Sequence, residues 1–341
     1  MKSLKVNFGL KIILLICLIV YSCGISEKII VRNPIQTIHY SANSKTYSRS
    51  MTATDKELII AASDGNVYFY PKESKNIYSM FSTPNKEYRD VIFNDNKIII
   101  LAAADSSEVI SYKLENSKRL FKTPFHGVFL DGMDYVDNII FMMGDPVNKE
   151  FSLFTSENWG ESWKALKNSP SAFNGEAGFA ASGTNVKILS KSIFTFVSGG
   201  DSSRYFRSDD AGETWKSKSM GFKSCPTCGA YSFTILNNGR IIAVGGDYLK
   251  PDLKQGTCRI SKNDGQTWCA PKTDLNGYRS NITEVNGVLY ACGTNGIDFS
   301  RNKGKTWYSF VKGNYFTLCE FDRKLAGSTT NGTIHIFNLI K

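Results

Sequence analysis

Strongly apolar runs recur along the chain, three of the six closing on alanine. They read Leu58-Ile59-Ile60-Ala61-Ala62, Ile98-Ile99-Ile100-Leu101-Ala102, Ile139-Ile140-Phe141-Met142-Met143, Ile193-Phe194-Thr195-Phe196-Val197, Ile241-Ile242-Ala243-Val244 and Val288-Leu289-Tyr290-Ala291. Continuous apolar character suits a strand buried on both faces, and no stretch after Cys23 keeps a useful helical period. Each run is predicted to be the second of four strands, preceded by a first strand and a polar turn. Six such units cover residues 46–81, 88–124, 128–167, 174–219, 229–272 and 278–310. A seventh, residues 315–338, holds only three strands, and residues 35–40 supply the missing outer one. Seven sheets closed into a ring leave few exposed edges. The expected fold is therefore all-β, a single seven-bladed β-propeller over residues 35–341.

Four units carry one octapeptide ending in tryptophan. The copies are Ser156-Glu157-Asn158-Trp159-Gly160-Glu161-Ser162-Trp163, Ser208-Asp209-Asp210-Ala211-Gly212-Glu213-Thr214-Trp215, Ser261-Lys262-Asn263-Asp264-Gly265-Gln266-Thr267-Trp268 and Ser300-Arg301-Asn302-Lys303-Gly304-Lys305-Thr306-Trp307. Hydroxyls at both ends can bond turn backbone, Asp or Asn caps the loop, and Gly supplies a positive φ. The tryptophans are expected to lie flat between neighbouring sheets. The pattern resembles the Asp-box, or BNR repeat, of sialidase-type propellers. Only the second copy keeps Asp at the third position. The resemblance implies the fold and places the boxes on the face away from the usual active site.

A second resemblance runs from about residue 128 to 328. It rests on Phe129-Leu130-Asp131-Gly132-Met133, Gly144-Asp145-Pro146, Gly175-Glu176-Ala177-Gly178-Phe179, Ser198-Gly199-Gly200-Asp201, Gly245-Gly246-Asp247-Tyr248, Gly277-Tyr278-Arg279-Ser280 and Gly296-Ile297-Asp298. The chain is similar here to exported Bacteroidota proteins called photosystem II stability/assembly-factor-like, often labelled "oxidoreductase". No dinucleotide crossover motif supports oxidoreductase or dehydrogenase chemistry. The first two units match this group poorly and read as degenerate spacers.

The N-terminus reads as an export signal. Lys2, Lys5 and Lys11 precede an apolar run over residues 12–20, too short for a membrane-spanning helix of about 20 residues. The run ends at Val20-Tyr21-Ser22-Cys23, which resembles a lipobox despite Tyr21. Residues 1–22 are expected to be a lipoprotein signal, Cys23 the lipidation site and residues 23–34 a linker. Simple cleavage or a retained anchor are the alternatives. The expected location is the cell envelope, as an outer-membrane lipoprotein on the periplasmic or surface side. Loss of residues 1–22 removes three lysines and no acids, so the formal charge falls from +10 to +7. The basic residues are scattered, which disfavours nucleic acid as a partner and leaves an envelope protein or a glycan.

Six further cysteines fit an oxidising compartment. Cys225-Pro226-Thr227-Cys228 lacks the helix N-terminus of a redox site and the second cysteine pair of a zinc site, so a local disulfide or idle thiols remain. Cys258 and Cys269 flank the third box, where a cross-strand bridge is plausible. Scattered His39, His126 and His335 and the lack of an Asp-rich loop leave no metal or cofactor expected.

Propeller topology gathers the heads of the first strands and the ends of the second at one mouth of the channel. Alignment puts Arg49, Arg89, Asp131, Glu176, Tyr231, Arg279 and Tyr315 in the first group. The second comprises Asp64, Asp105, Asp145, Asp201, Asp247, Thr294 and Thr329. The mouth is thus expected to be a polar pocket. Glu176, Asp131, Asp145 and Asp247 are the candidate catalytic carboxylates; Arg204, Arg279, Asp201, Tyr231 and Tyr248 are the candidate ligand contacts. The favoured reading is a non-catalytic lipoprotein propeller that binds a partner at the mouth, as an assembly factor or accessory subunit of an envelope complex. The alternative is a glycoside hydrolase or lyase acting through paired carboxylates.

Overall fold

The computed structural model describes residues 32–94, 96–103 and 106–340. The export signal, Cys23 and Asp105 lie outside these residues. Among the described residues every regular element is a strand or bridge. Seven sheets form, six of four strands and one of five. In the first blade Ser48–Ala53, Glu57–Ala62, Asn66–Pro71 and Tyr78–Ser82 pair in sequence order. The first strands pack against one another around the ring, as Ser48–Ala53 does against Tyr88–Asn94 and Tyr315–Phe321. The apolar runs are the second strands: Leu58, Ile59, Ile60, Ala61 and Ala62 are all fully buried. Both faces of each sheet are covered by neighbouring sheets, so the alternation of a one-faced strand is absent.

Gln36–His39 closes the ring. It pairs antiparallel with the last strand in the register Gln36↔Ile336 through His39↔Thr333. Ile38 and Tyr40 then join a core with Leu58, Ile60 and Ile336, so closure is made by packing as well as by hydrogen bonds.

The octapeptides fold into one repeated turn. The first Ser Oγ accepts the Gly N–H four residues on, at 2.8, 2.8, 2.9 and 3.1 Å. The third-position Asn or Asp accepts the N–H four residues beyond it at 2.9–3.0 Å. Oδ1 of either residue fills this role, so three Asp-to-Asn departures leave the turn unchanged. Of the four closing tryptophans, Trp307 is buried while Trp163, Trp215 and Trp268 are half-buried.

Two expectations are corrected. Glu176 does not head the first strand of the fourth blade, which begins at Val186–Ser190. Instead Glu176–Ala177 pairs with Gly199–Gly200 and extends the fifth sheet inward. Cys258 and Cys269 are free thiols, because the register sets Cys269 opposite Ile260. The disulfide that forms is Cys225–Cys228.

The segment between Glu176–Ala177 and Val186–Ser190 crosses the channel. Gly178 N–H donates to Asp145 of the third blade at 2.9 Å, and Ala180 O accepts from Arg89 of the second at 3.3 Å. Ser182 Oγ donates to Ser280 O of the sixth blade at 2.8 Å, and Thr184 O accepts Phe233 N–H of the fifth at 3.2 Å. Blades on opposite sides of the ring are thereby tied through one strap. Gly178 and Gly183 are required there, since a Cβ at either would collide with the carboxylates of Asp131 and Asp90. Gly183 also takes a left-handed φ of 69°.

Candidate functional site at the channel mouth

The strap makes the mouth a bowl with a floor. Phe179, Ala180 and Ala181 form its base beneath a cavity of about 280 Å³. Tyr231, Tyr248, Tyr278, Tyr315 and Phe316 supply most of the wall, with Arg49 and Arg89 on one side. Among the described lining residues there is no carboxylate. The expected polar pocket is an aromatic bowl with a cationic side.

The aromatic wall is built by ring packing. Tyr231 stacks on Phe179 at 4.1 Å and 6°, and meets Tyr278 edge-on at 4.8 Å. Tyr231 Oη donates to Thr227 O at 2.8 Å, and burial pushes its phenol pKa up, as it does for Tyr278 and Tyr315. Tyr248 is the exposed lip, at 47%. Asp247 fixes that lip by accepting Leu249 N–H at 3.1 Å and Thr227 Oγ1 at 2.7 Å, so it braces the loop from behind. The Cys225–Cys228 turn, through Thr227, therefore bears on both Tyr231 and Tyr248.

Arg49 and Arg89 share Glu87, at 3.6 Å and 3.0 Å. Tyr47 Oη donates to the same carboxylate at 2.8 Å. Among the described residues Glu87 is the one carboxylate in ion-pair contact with the two guanidiniums. Burial, then the nearby Arg49, lowers the pKa of Arg89.

The other candidates lie behind the bowl. Glu176 is sealed against Arg204: Nε and Nη2 donate to its two oxygens at 2.9 and 2.5 Å, and Ser198 Oγ and Phe173 N–H donate at 2.5 and 2.9 Å. Arg204 also lies 4.1 Å over the ring of Phe173 and 4.5 Å over that of Phe206. Arg279, 1% exposed, pairs with Asp298 and gives its remaining nitrogen to Tyr278 O and Asn295. Both expected anion clamps are thus spent on internal partners. Asp131 and Asp145 lie below the strap. Burial raises both pKa values, that of Asp131 well above the usual range, with Asp145 adding to its shift. Asp201 is exposed and is not among the residues that line the bowl.

Of the candidate residues, the structure brings Tyr231 and Tyr248 together in the bowl and sets the carboxylates apart from it. Sequence reasoning misses Phe179, Phe316 and Tyr278 as site residues, although Phe179 and Tyr278 fall within resemblance motifs. The first two units, read as spacers, provide Arg49 and Arg89.

No protein family and no curated protein matches the chain in sequence. Solved structures match its shape. A YCF48 structure with bound D1 peptide has a TM-score of 0.62 at 13% identity, covering 91% of this chain and 98% of that one. The WD40 β-propeller domain of Doa1 gives 0.63 at 12% identity, covering 90% and 97%. The computationally designed Ika8 protein gives 0.60 at 11%, covering 89% and 100%. The chain is a seven-bladed β-propeller. At these identities the likeness shows the fold alone.

Proposed function

We propose that the chain is a non-catalytic binding propeller that holds a segment of a protein partner in the bowl at its channel mouth. The observation that carries this is the floored aromatic bowl with two arginines and no lining carboxylate. Aromatic rings and arginine are the side chains that dominate protein recognition sites. The YCF48 structure, a propeller of similar shape, holds a peptide. Hydrolysis of a glycan by paired carboxylates needs both acids open to one cleft, whereas Asp131 and Asp145 sit beneath the strap.

The envelope role rests on the N-terminal lipobox and belongs to the same proposal. Gln36–His39 runs toward the mouth from the opposite face, since His39 pairs with Thr333 beside the hairpin end. A lipid on Cys23 would therefore tether the protein through a linker that joins the ring from the box face. The four box turns support kinship with Asp-box propellers by the same geometry.

A photoreactive residue at position 248 tests the binding reading, with position 303 on the box face as control. Protein adducts at 248 alone are expected. Adducts at 303 alone, or sugar release in a glycan-hydrolysis panel, would overturn it. Labelling with a palmitate analogue should mark wild type and spare Cys23→Ala.

A further inference from the structure

Resting on the reading of the mouth as a protein-binding bowl, we propose that it takes the C-terminal end of a protein chain. The terminal carboxylate meets Arg49 and the last side chain enters the aromatic wall.

The floor sets the mode of entry. Because the strap closes the channel, a bound segment cannot thread through and reaches the bowl from the open side alone. The cavity of about 280 Å³, at the lower end of the roughly 300–1,000 Å³ of ligand sites, has room for a terminal residue and its side chain.

Arg49 selects which end. Among the described residues no hydrogen bond reaches its two terminal nitrogens; its one ionic contact is Nε to Glu87 at 3.6 Å. Arg89, by contrast, spends Nη1 on Ala180 O and Nη2 on Glu87. The Arg49 guanidinium lies over the rings of Tyr47 and Phe316, at 5.2 and 5.6 Å, and its side chain is 25% exposed. A planar fork held by stacking, with both outer nitrogens open, matches a carboxylate in bidentate fashion. An amino terminus would meet two guanidiniums instead, a repulsive pairing.

The wall of Tyr231, Tyr248, Tyr278, Tyr315 and Phe316 is largely aromatic, and an aliphatic or aromatic last side chain packs against it.

The test uses the full-length protein in detergent and one library of random pentapeptides, immobilised through either the N-terminus or the C-terminus. Binding is expected only where the α-carboxylate is free, with apolar last residues enriched. C-terminal amidation of the best binders should weaken them about tenfold or more, the scale of a lost charged contact. Arg49→Met should weaken the acid forms by a similar factor and leave the amides unchanged; Arg49→Lys should restore part. Equal binding of wild type in either orientation would overturn this inference and leave the proposed function standing. Phenylacetate binding as tightly as the best peptide would overturn it in favour of small free acids. If no peptide binds in either orientation, both readings fall.

Discussion

Glu176→Gln separates a structural from a ligand-binding role for the residue that the sequence marks most strongly. The substitution keeps shape and removes one charge. In the structure four donors converge on the carboxylate: Arg204 Nε and Nη2, Ser198 Oγ and Phe173 N–H. A glutamine offers one acceptor oxygen and turns an NH2 group toward donors that remain. Breaking one half of a buried ion pair costs about 3–5 kcal/mol. The lower part of that range applies, since Arg204 keeps Ser171 O, Ser217 Oγ and two aromatic rings. At about 2 °C per kcal/mol for a domain of this size, the melting temperature should fall by roughly 6–8 °C. Calorimetry and near-ultraviolet dichroism would read this directly. The double variant Glu176→Leu/Arg204→Met should recover much of the loss, because no lone charge is left buried. A melting temperature unchanged within about 2 °C, on the scale just given, together with lost partner capture would refute the reasoning and return Glu176 to the site.

Asp131→Asn should act in the opposite sense at neutral pH. The folded pKa of Asp131 is raised, so its contribution is fully present below the unfolded value of 3.8 and is lost as pH rises through the folded value. The variant should match wild type near pH 4 and exceed it at pH 7–8, in urea melts at several pH values. The gain should grow by about 1.4 kcal/mol for each pH unit above the unfolded value, levelling off where the folded value is reached. A constant difference across pH would refute this. Deleting residues 35–40 should give an aggregating or broadly melting protein, because the strand Thr333–Phe337 becomes a raw edge; a monodisperse, cooperative variant would contradict closure by this strand. Trp307→Ala should cost about 3–5 kcal/mol, and the same change at half-buried Trp268 distinctly less, in paired denaturant melts; equal losses would mean burial does not set the cost.

The architecture was legible from the chain because it rests on short-range pattern. Apolar runs such as Ile98–Ile100 require cover on both faces, box turns need only local hydroxyl, carboxamide and glycine chemistry, and a last unit of three strands needs one more. These are properties of neighbours in sequence, and the seven blades with Gln36–His39 as the closing strand follow from them. The gathering of Arg49, Arg89, Tyr231 and Tyr315 at one mouth was legible too, since topology alone sends those strand heads to one face.

What each side chain does there was decided only by the fold. Whether an arginine is a clamp or a structural partner depends on which carboxylate lies beside it, and Asp298 and Glu176 reach Arg279 and Arg204 through contacts 19 and 28 residues apart. Repeat alignment placed Glu176 at the head of a strand, whereas the strap that follows it belongs to no repeat. That segment is held by blades two, three, five and six, and no local pattern encodes partners so distant. By crossing the channel it covers Asp131, donates a hydrogen bond to Asp145, raises Phe179 into the floor and turns an open pore into a bowl. The strands follow from the order of residues along the chain, whereas the site depends on which distant residues are brought to the axis of the ring.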